Sequence, residues 1–152
     1  VCVEANGRQC NRGLKGCLDT YASAMGVARS AKLALQESNS KESILNQYDF
    51  EKISAKDVYD AAKQGDATAI KIFADTGKIL GRAFADFVKF SAPEAIILFG
   101  GMTKSKEFLH NAIVESMDQN LMKVWKGRIK ILYSSLKESD AAILGASALA
   151  IQ

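Results

Sequence analysis

The chain is poor in the residues that punctuate or decorate a fold. Its 152 residues hold one proline, one histidine, one tryptophan and three cysteines. An odd, small number of cysteines does not build a disulfide framework and suits a reducing compartment. No nucleophile pattern surrounds the sole histidine, His110. No apolar stretch approaches the ~20 residues of a membrane span. Lys and Arg exceed Asp and Glu by only three, and no basic stripe forms, so direct nucleic-acid contact is not expected. The first residues read as a strand rather than as a charged segment leading into an apolar one, so no signal peptide is expected. The expectation is a cytoplasmic protein without a membrane segment.

What is present is ordinary globular material with one unusual stretch. Hydrophobic residues make up 48% and charged residues 24%, and the length suits one domain with a sizeable core. The unusual stretch runs from Gly7 to Ser23, GRQCNRGLKGCLDTYAS. Cys10 and Cys17 sit seven apart with Gly13 and Gly16 between them. Glycine supplies backbone conformations other residues avoid, which predicts a tight, folded-back loop. Two thiols on such a loop could share a metal, or be two ordinary thiols on a rigid turn. Asp19 follows at the start of helical sequence, where a carboxylate suits the helix dipole.

The rest of the chain is read in order. Val1 to Ala5 alternates and predicts a strand, with Cys2 buried, then a turn at Asn6-Gly7. Helical sequence runs from about Leu18 to Glu37, with Met25, Val27, Ala28, Ala31, Leu33, Ala34 and Leu35 as its apolar face and Gly26 as a break or bend. A polar turn spans 38–41, and 43–53 reads as a short helix and a loop. Ser54 caps a helix through Lys63, with Asp57 in its first turn. Gly65 ends that helix, and Asp66 caps the longest one, to about Phe90. Gly77 and Gly81, one turn apart inside it, each cost ~1 kcal/mol against alanine, so another element must approach closely there. Pro93 stops the helix. Ala95 to Phe99 is apolar throughout and predicts a strand covered on both faces. Gly100-Gly101 follows at its carboxyl end, where backbone can approach a ligand, with Met102, Thr103 and Ser105 along the same edge. Ser105 caps a helix to about Lys123, with Phe108, Leu109, Ala112, Ile113 and Met117 inward. His110 on that helix reads as a surface residue. Ile129 to Tyr133 is a second strand, and Asp140 caps a final helix over 141–151. The order is that of an α/β protein whose strands are joined by a helical crossover and run parallel.

The stretch from Gly7 onward resembles the signature of the ROK family of repressors and sugar kinases, G-x-x-C-x-C-G-x-x-G-C-x-E followed by Y-A-S. Gly7, Cys10, Gly13, Gly16, Cys17 and Tyr21-Ala22-Ser23 match in register. Arg12 stands at the middle cysteine and Asp19 at the closing glutamate. The resemblance implies an actin-like (ribonuclease H-like) α/β lobe, helix-rich with a small mixed or parallel sheet. It implies one domain over 1–152, the carboxyl-terminal lobe of a two-lobed protein whose amino-terminal lobe lies outside this chain. It implies a glucokinase-like hexose kinase using ATP with Mg²⁺, with Asp19 on the sugar hydroxyls and Gly100 and Gly101 near the nucleotide's adenosine. It also implies a zinc site in which Cys10 and Cys17 are two of four ligands, the others being a histidine ahead of Val1 and the thiolate that Arg12 replaces. Homo-oligomerisation is expected on the same ground. The family's Asp-x-Gly-Gly-Thr phosphate loop and its Asp-Asn-Gly base segment do not occur here, so the chain alone is expected not to catalyse. The alternatives are the sugar-sensing body of a ROK transcriptional repressor and a degenerate, non-catalytic relative.

Overall fold

A computed structural model describes residues 1–37, 41–136, 140 and 146–148. Local capping chemistry sets most of the helix boundaries. Helix α1 is Ala24–Gln36, and the Ser23 side chain accepts from the Gly26 N–H at its start. Helix α2 is Ala55–Lys63, opened by a reciprocal Ser54–Asp57 capping box. Helix α3, Ala67–Ser91, is capped by Asp66 and closed by Ala92 in the left-handed region, one residue before Pro93. Buried Asp66 also accepts from the Ser43 hydroxyl at 2.9 Å and the Ile44 N–H. One carboxylate thus ties the 3₁₀ turn Ile44–Gln47 to the start of α3.

Strand β1, Ala95–Leu98, pairs in parallel with β2, Lys130–Tyr133, in the register Ala95 to Lys130 through Leu98 to Tyr133. Helix α4, Lys106–Asn120, makes the crossover between them. The core is one cluster that runs from α1 and α2 across α3 to α4 and one face of this sheet, with Val27, Leu45, Val58, Phe73, Val88, Leu109, Ile113 and Met117 fully buried. Phe73 stacks on Phe108 at 5.9 Å between ring centroids. The close approach expected at Gly77 and Gly81 is made by α4. A Cβ on Gly77 would stand 2.8 Å from the Ala112 Cβ, and one on Gly81 would stand 2.7 Å from the Met117 backbone nitrogen. The two helices therefore touch backbone to backbone, and the helix-propensity cost of both glycines is offset by that contact.

Several expectations are corrected. Val1 to Ala5 forms no extended strand. Its backbone pairs only with the loop, through Val3 N–H to Gly16 and Leu18 N–H to Val1, and as an isolated bridge between Cys2 and Cys17. Cys2 is exposed, not buried. The break before α1 falls at 21–23, where Ser23 caps, after a 3₁₀ turn Leu18–Thr20. Gly26 lies inside the first turn, packed against the Tyr21 backbone. Met25 and Leu33 face outward. Among the described residues the sheet is covered on one face only: Ile97, Phe99 and Leu132 are exposed. Ser105 makes no side-chain cap, because a 3₁₀ turn, Gly101–Ser105, runs straight into α4. The expected final helix lies, apart from 146–148, outside the described residues, as does most of the turn at 38–41. Among the described residues no helix is long and apolar enough to cross a membrane.

Candidate sugar site and signature loop

The signature loop is a short hairpin held almost wholly by backbone. The Cys10 N–H donates to Leu14 at 2.8 Å, Gly16 N–H to Arg8 at 2.8 Å, and Val3 N–H to Gly16 at 2.8 Å. Gly16 has a φ of +71°, and a Cβ there would overlap the Glu4 carbonyl. This is a position only glycine fills without displacing the neighbouring strand segment. The consequence is that residues 10 and 17 are folded onto each other. Their sulfurs lie 3.4 Å apart, and both residues are buried, at 6% and 5% exposure.

Arg12 and Asp19 stand above this pair. Both side chains are largely exposed, and an Arg12 guanidinium nitrogen donates to Asp19 Oδ1 at 3.4 Å. Burial pushes the Cys10 thiol up, but the Arg12 backbone N–H, Cys17, the Leu14 backbone and the Arg12 side chain together bring it below the ordinary cysteine value. The Cys17 thiol moves the other way, raised first by its bond to Cys10 and then by burial. The hydrogen bond to Cys10, and then Asp19, raise Arg12.

Asp19, Thr20, Gln9, Cys10, Asn11, Met25, Gly26 and Arg29 line a small cleft of about 130 Å³. Asp19 and Cys10 are thus brought to one place. Gly100 and Gly101 are not: they sit at the carboxyl end of β1, away from this lining. Gly100 has a φ of +100°, and its carbonyl accepts from both the N–H and the hydroxyl of Thr103. Of the residues expected along the same edge, Met102 packs on the core, Thr103 bonds the Gly100 carbonyl and Ser105 is buried. His110 is not a free surface residue either. Its Nδ1 lies 3.2 Å from the hydroxyl of Tyr133, the last residue of β2.

The donor set does not fit zinc. Structural zinc takes four ligands, and among the described residues no group of three or more His, Cys, Asp or Glu side chains is arranged to hold a metal. A guanidinium occupies the place beside the thiols and adds positive charge where a cation would sit.

One residue of consequence escaped the sequence reading. Arg8 stacks on the Tyr21 ring at 4.5 Å and donates to the Thr20 and Gly26 carbonyls and to the Ser30 hydroxyl. It pins the loop to α1. The Arg8 N–H also donates to the Tyr21 hydroxyl at 2.8 Å, so Tyr21 in the Y-A-S segment was the available signal.

A ROK family profile matches residues 1–152.

The chain belongs to the ROK family. Similar ROK proteins include both kinases and regulators. The glucokinase of Thermotoga maritima is 34% identical over 149 residues, 98% of this chain and 47% of that protein. The DNA-binding transcriptional dual regulator NagC of Escherichia coli is 25% identical over 97% of this chain and 34% of its own length. Among solved structures, a ROK family glucokinase from Streptomyces griseus in complex with glucose and AMPPNP superposes with a TM-score of 0.82 at 27% identity, over 98% of this chain and 49% of that one. The chain therefore spans less than half the length of these relatives. Its fold is the helix-rich, actin-like α/β lobe of the ROK sugar kinases, with a small parallel sheet.

Proposed function

We propose that this chain is one domain, the carboxyl-terminal lobe of a glucokinase-like hexose kinase that transfers a phosphoryl group from ATP to glucose or a related sugar. The observation that carries this reading is the 34% identity to a glucokinase across 98% of the chain. The glucose and AMPPNP complex of the Streptomyces griseus relative supports a sugar and an adenine nucleotide as ligands. Mg²⁺ accompanies ATP in this reading, offsetting phosphate charge.

The roles of this chain's residues follow from their chemistry. The Asp19 carboxylate, on the rim of its cleft, accepts hydrogen bonds from sugar hydroxyls, and such charge-assisted bonds are strong and orienting. Arg12 holds that carboxylate from the side. Aspartate is one methylene shorter than the glutamate of the family signature, so the sugar must come closer to the loop. Gly100 and Gly101 offer side-chain-free backbone at the carboxyl end of β1, where adenosine approaches in this reading. Neither the phosphate loop nor the Asp-Asn-Gly base is in the chain, so catalysis requires the amino-terminal lobe. Self-association and a cytoplasmic setting belong to the same proposal.

A coupled ATP-to-sugar phosphorylation assay tests it, run with glucose and its amino-sugar relatives on the full product of the coding sequence and on this chain. Turnover by the full product alone is expected. Turnover by the isolated chain would contradict the assignment of catalytic parts to the other lobe. The match to NagC favours a second reading, the sugar-sensing body of a repressor. A helix-turn-helix upstream, with sugar-dependent operator binding and no turnover, would select that one.

A further inference from the structure

We propose that Cys10 and Cys17 form a reversible disulfide, making the signature loop a peroxide-sensitive dithiol site in place of a zinc site. The proposal stands apart from the kinase reading, since it uses only the loop's own geometry. The two sulfurs are 3.4 Å apart, and a disulfide requires ~2.05 Å. The sulfurs must therefore approach by about a further 1.4 Å. The backbone is already bonded in the folded-back form on both sides of the pair, so little chain entropy remains to be lost on closure. The third cysteine, Cys2, faces Cys17 across an isolated backbone bridge. Its side chain is exposed and its sulfur donates to the Lys15 carbonyl, so it competes with Cys10 for Cys17 only by giving up that bond.

The loop also distinguishes the two thiols. Cys10 lines the small open cleft and Cys17 does not. The Arg12 guanidinium bonds Asp19, which lines the same cleft. A hydroperoxide entering the cleft therefore meets Cys10 first. The Cys10 thiolate attacks one peroxide oxygen, the O–O bond breaks, and the other oxygen leaves as water or an alcohol after taking a proton. Cys10 is then a sulfenic acid. The Cys17 thiolate attacks that sulfur, forms the S–S bond and expels hydroxide, which is protonated to water. The two sulfurs together lose two electrons and the peroxide gains them. A thiol reductant reverses the reaction through a mixed disulfide.

The chain carries a convenient readout. Trypsin cuts after Arg8, Arg12, Lys15 and Arg29, so Cys2, Cys10 and Cys17 fall in three separate peptides. The full-length protein, purified under reductant and freed of it, is treated with hydrogen peroxide, alkylated, digested and weighed. The expected product is peptide 9–12 joined to peptide 16–29, lighter by two hydrogens than the sum of its parts. Cys10 and Cys17 should lose alkylation together, Cys2 should keep it, and dithiothreitol should restore all. Cys10→Ser should abolish the linked peptide and leave Cys17 alkylatable, whereas Cys2→Ser should change nothing. Three results would overturn the proposal: both thiols still alkylated after peroxide, Cys10 driven to sulfinic acid with no linked peptide, or stoichiometric zinc in the purified protein shielding the pair.

Discussion

The signature loop and the α3–α4 seam both depend on paired glycines, and they use the missing side chain in opposite ways. At the seam, Gly77 and Gly81 have ordinary helical backbone, and what matters is the space a Cβ would fill against α4. In the loop, Gly16 is needed for a positive φ as well as for the neighbouring Glu4 carbonyl. The seam is held by buried apolar side chains, among them Phe73, Leu109, Ile113 and Met117. The loop is held by backbone hydrogen bonds, the Arg8–Tyr21 stack and two buried sulfurs. A globular chain thus separates its stability from its chemistry: the seam bears the fold, and the loop shapes the site at little cost in core.

Substitutions that exploit this contrast should differ in size and in reach. The largest effect is expected at the seam. Gly81→Val places new atoms against the Ile113 and Met117 backbone, and overpacking of this kind costs about 3 kcal/mol. Urea unfolding should show that loss, spread over the whole domain; a change under ~0.5 kcal/mol, the range of ordinary surface substitutions, would mean the helices can separate freely.

Gly16→Ala carries the cost of a left-handed non-glycine residue, about 1–2 kcal/mol, together with an overlap with the Glu4 carbonyl. Segment 1–5 relieves that overlap by moving aside without disturbing the core, so the loss of global stability should stay below that at the seam. Its effect should stay local. Amide exchange should quicken in residues 1–23 while α3 and α4 remain protected. Loss of protection throughout would show that the loop bears on the core after all.

The smallest effect belongs to an exposed ion pair on the seam helix itself. Asp75 accepts from Lys71 at 2.8 Å and Lys78 at 3.1 Å. Burial pushes its carboxyl up, but the two lysines more than offset this and leave it below the ordinary carboxylate value. A depressed folded pKa stabilises above the unfolded value of about 4 and is lost as pH falls through the folded one. Asp75→Asn should therefore cost a few tenths of a kcal/mol at neutral pH, as partly exposed pairs do. It should match the parent in acid, which unfolding midpoints at both pH values would check.

The same contrast explains what could be read from the sequence. Ser54 with Asp57, Asp66, Pro93 and the parallel strands around α4 were legible because each is a local signal with a local cause. The need for a partner at Gly77 and Gly81 was legible from its cost, and α4 supplies that partner. The break at 21–23 was not, because a serine inside apolar-periodic sequence does not announce itself as a cap. The exposure of Ile97 was hidden because an apolar run reports its composition, not what covers it. The pairing of Cys10 with Cys17 was suggested by spacing. The reach of Arg8 to Tyr21, Gly26 and Ser30 joins residues 13 to 22 apart, and Tyr21 in the Y-A-S segment was its one trace in the sequence.

On the proposed reading Asp19 binds sugar although the loop's own donors do not make a zinc site. Glucose titration of the full-length protein by calorimetry, in the presence of a strong chelator, tests it most directly when repeated with Asp19→Asn. Binding by the parent despite the chelator, weakened about tenfold or more in the variant, is predicted from the loss of a hydrogen bond to a charged group worth ~1.5–3 kcal/mol. Equal affinity in the two proteins, or binding that disappears with the chelator, would contradict it.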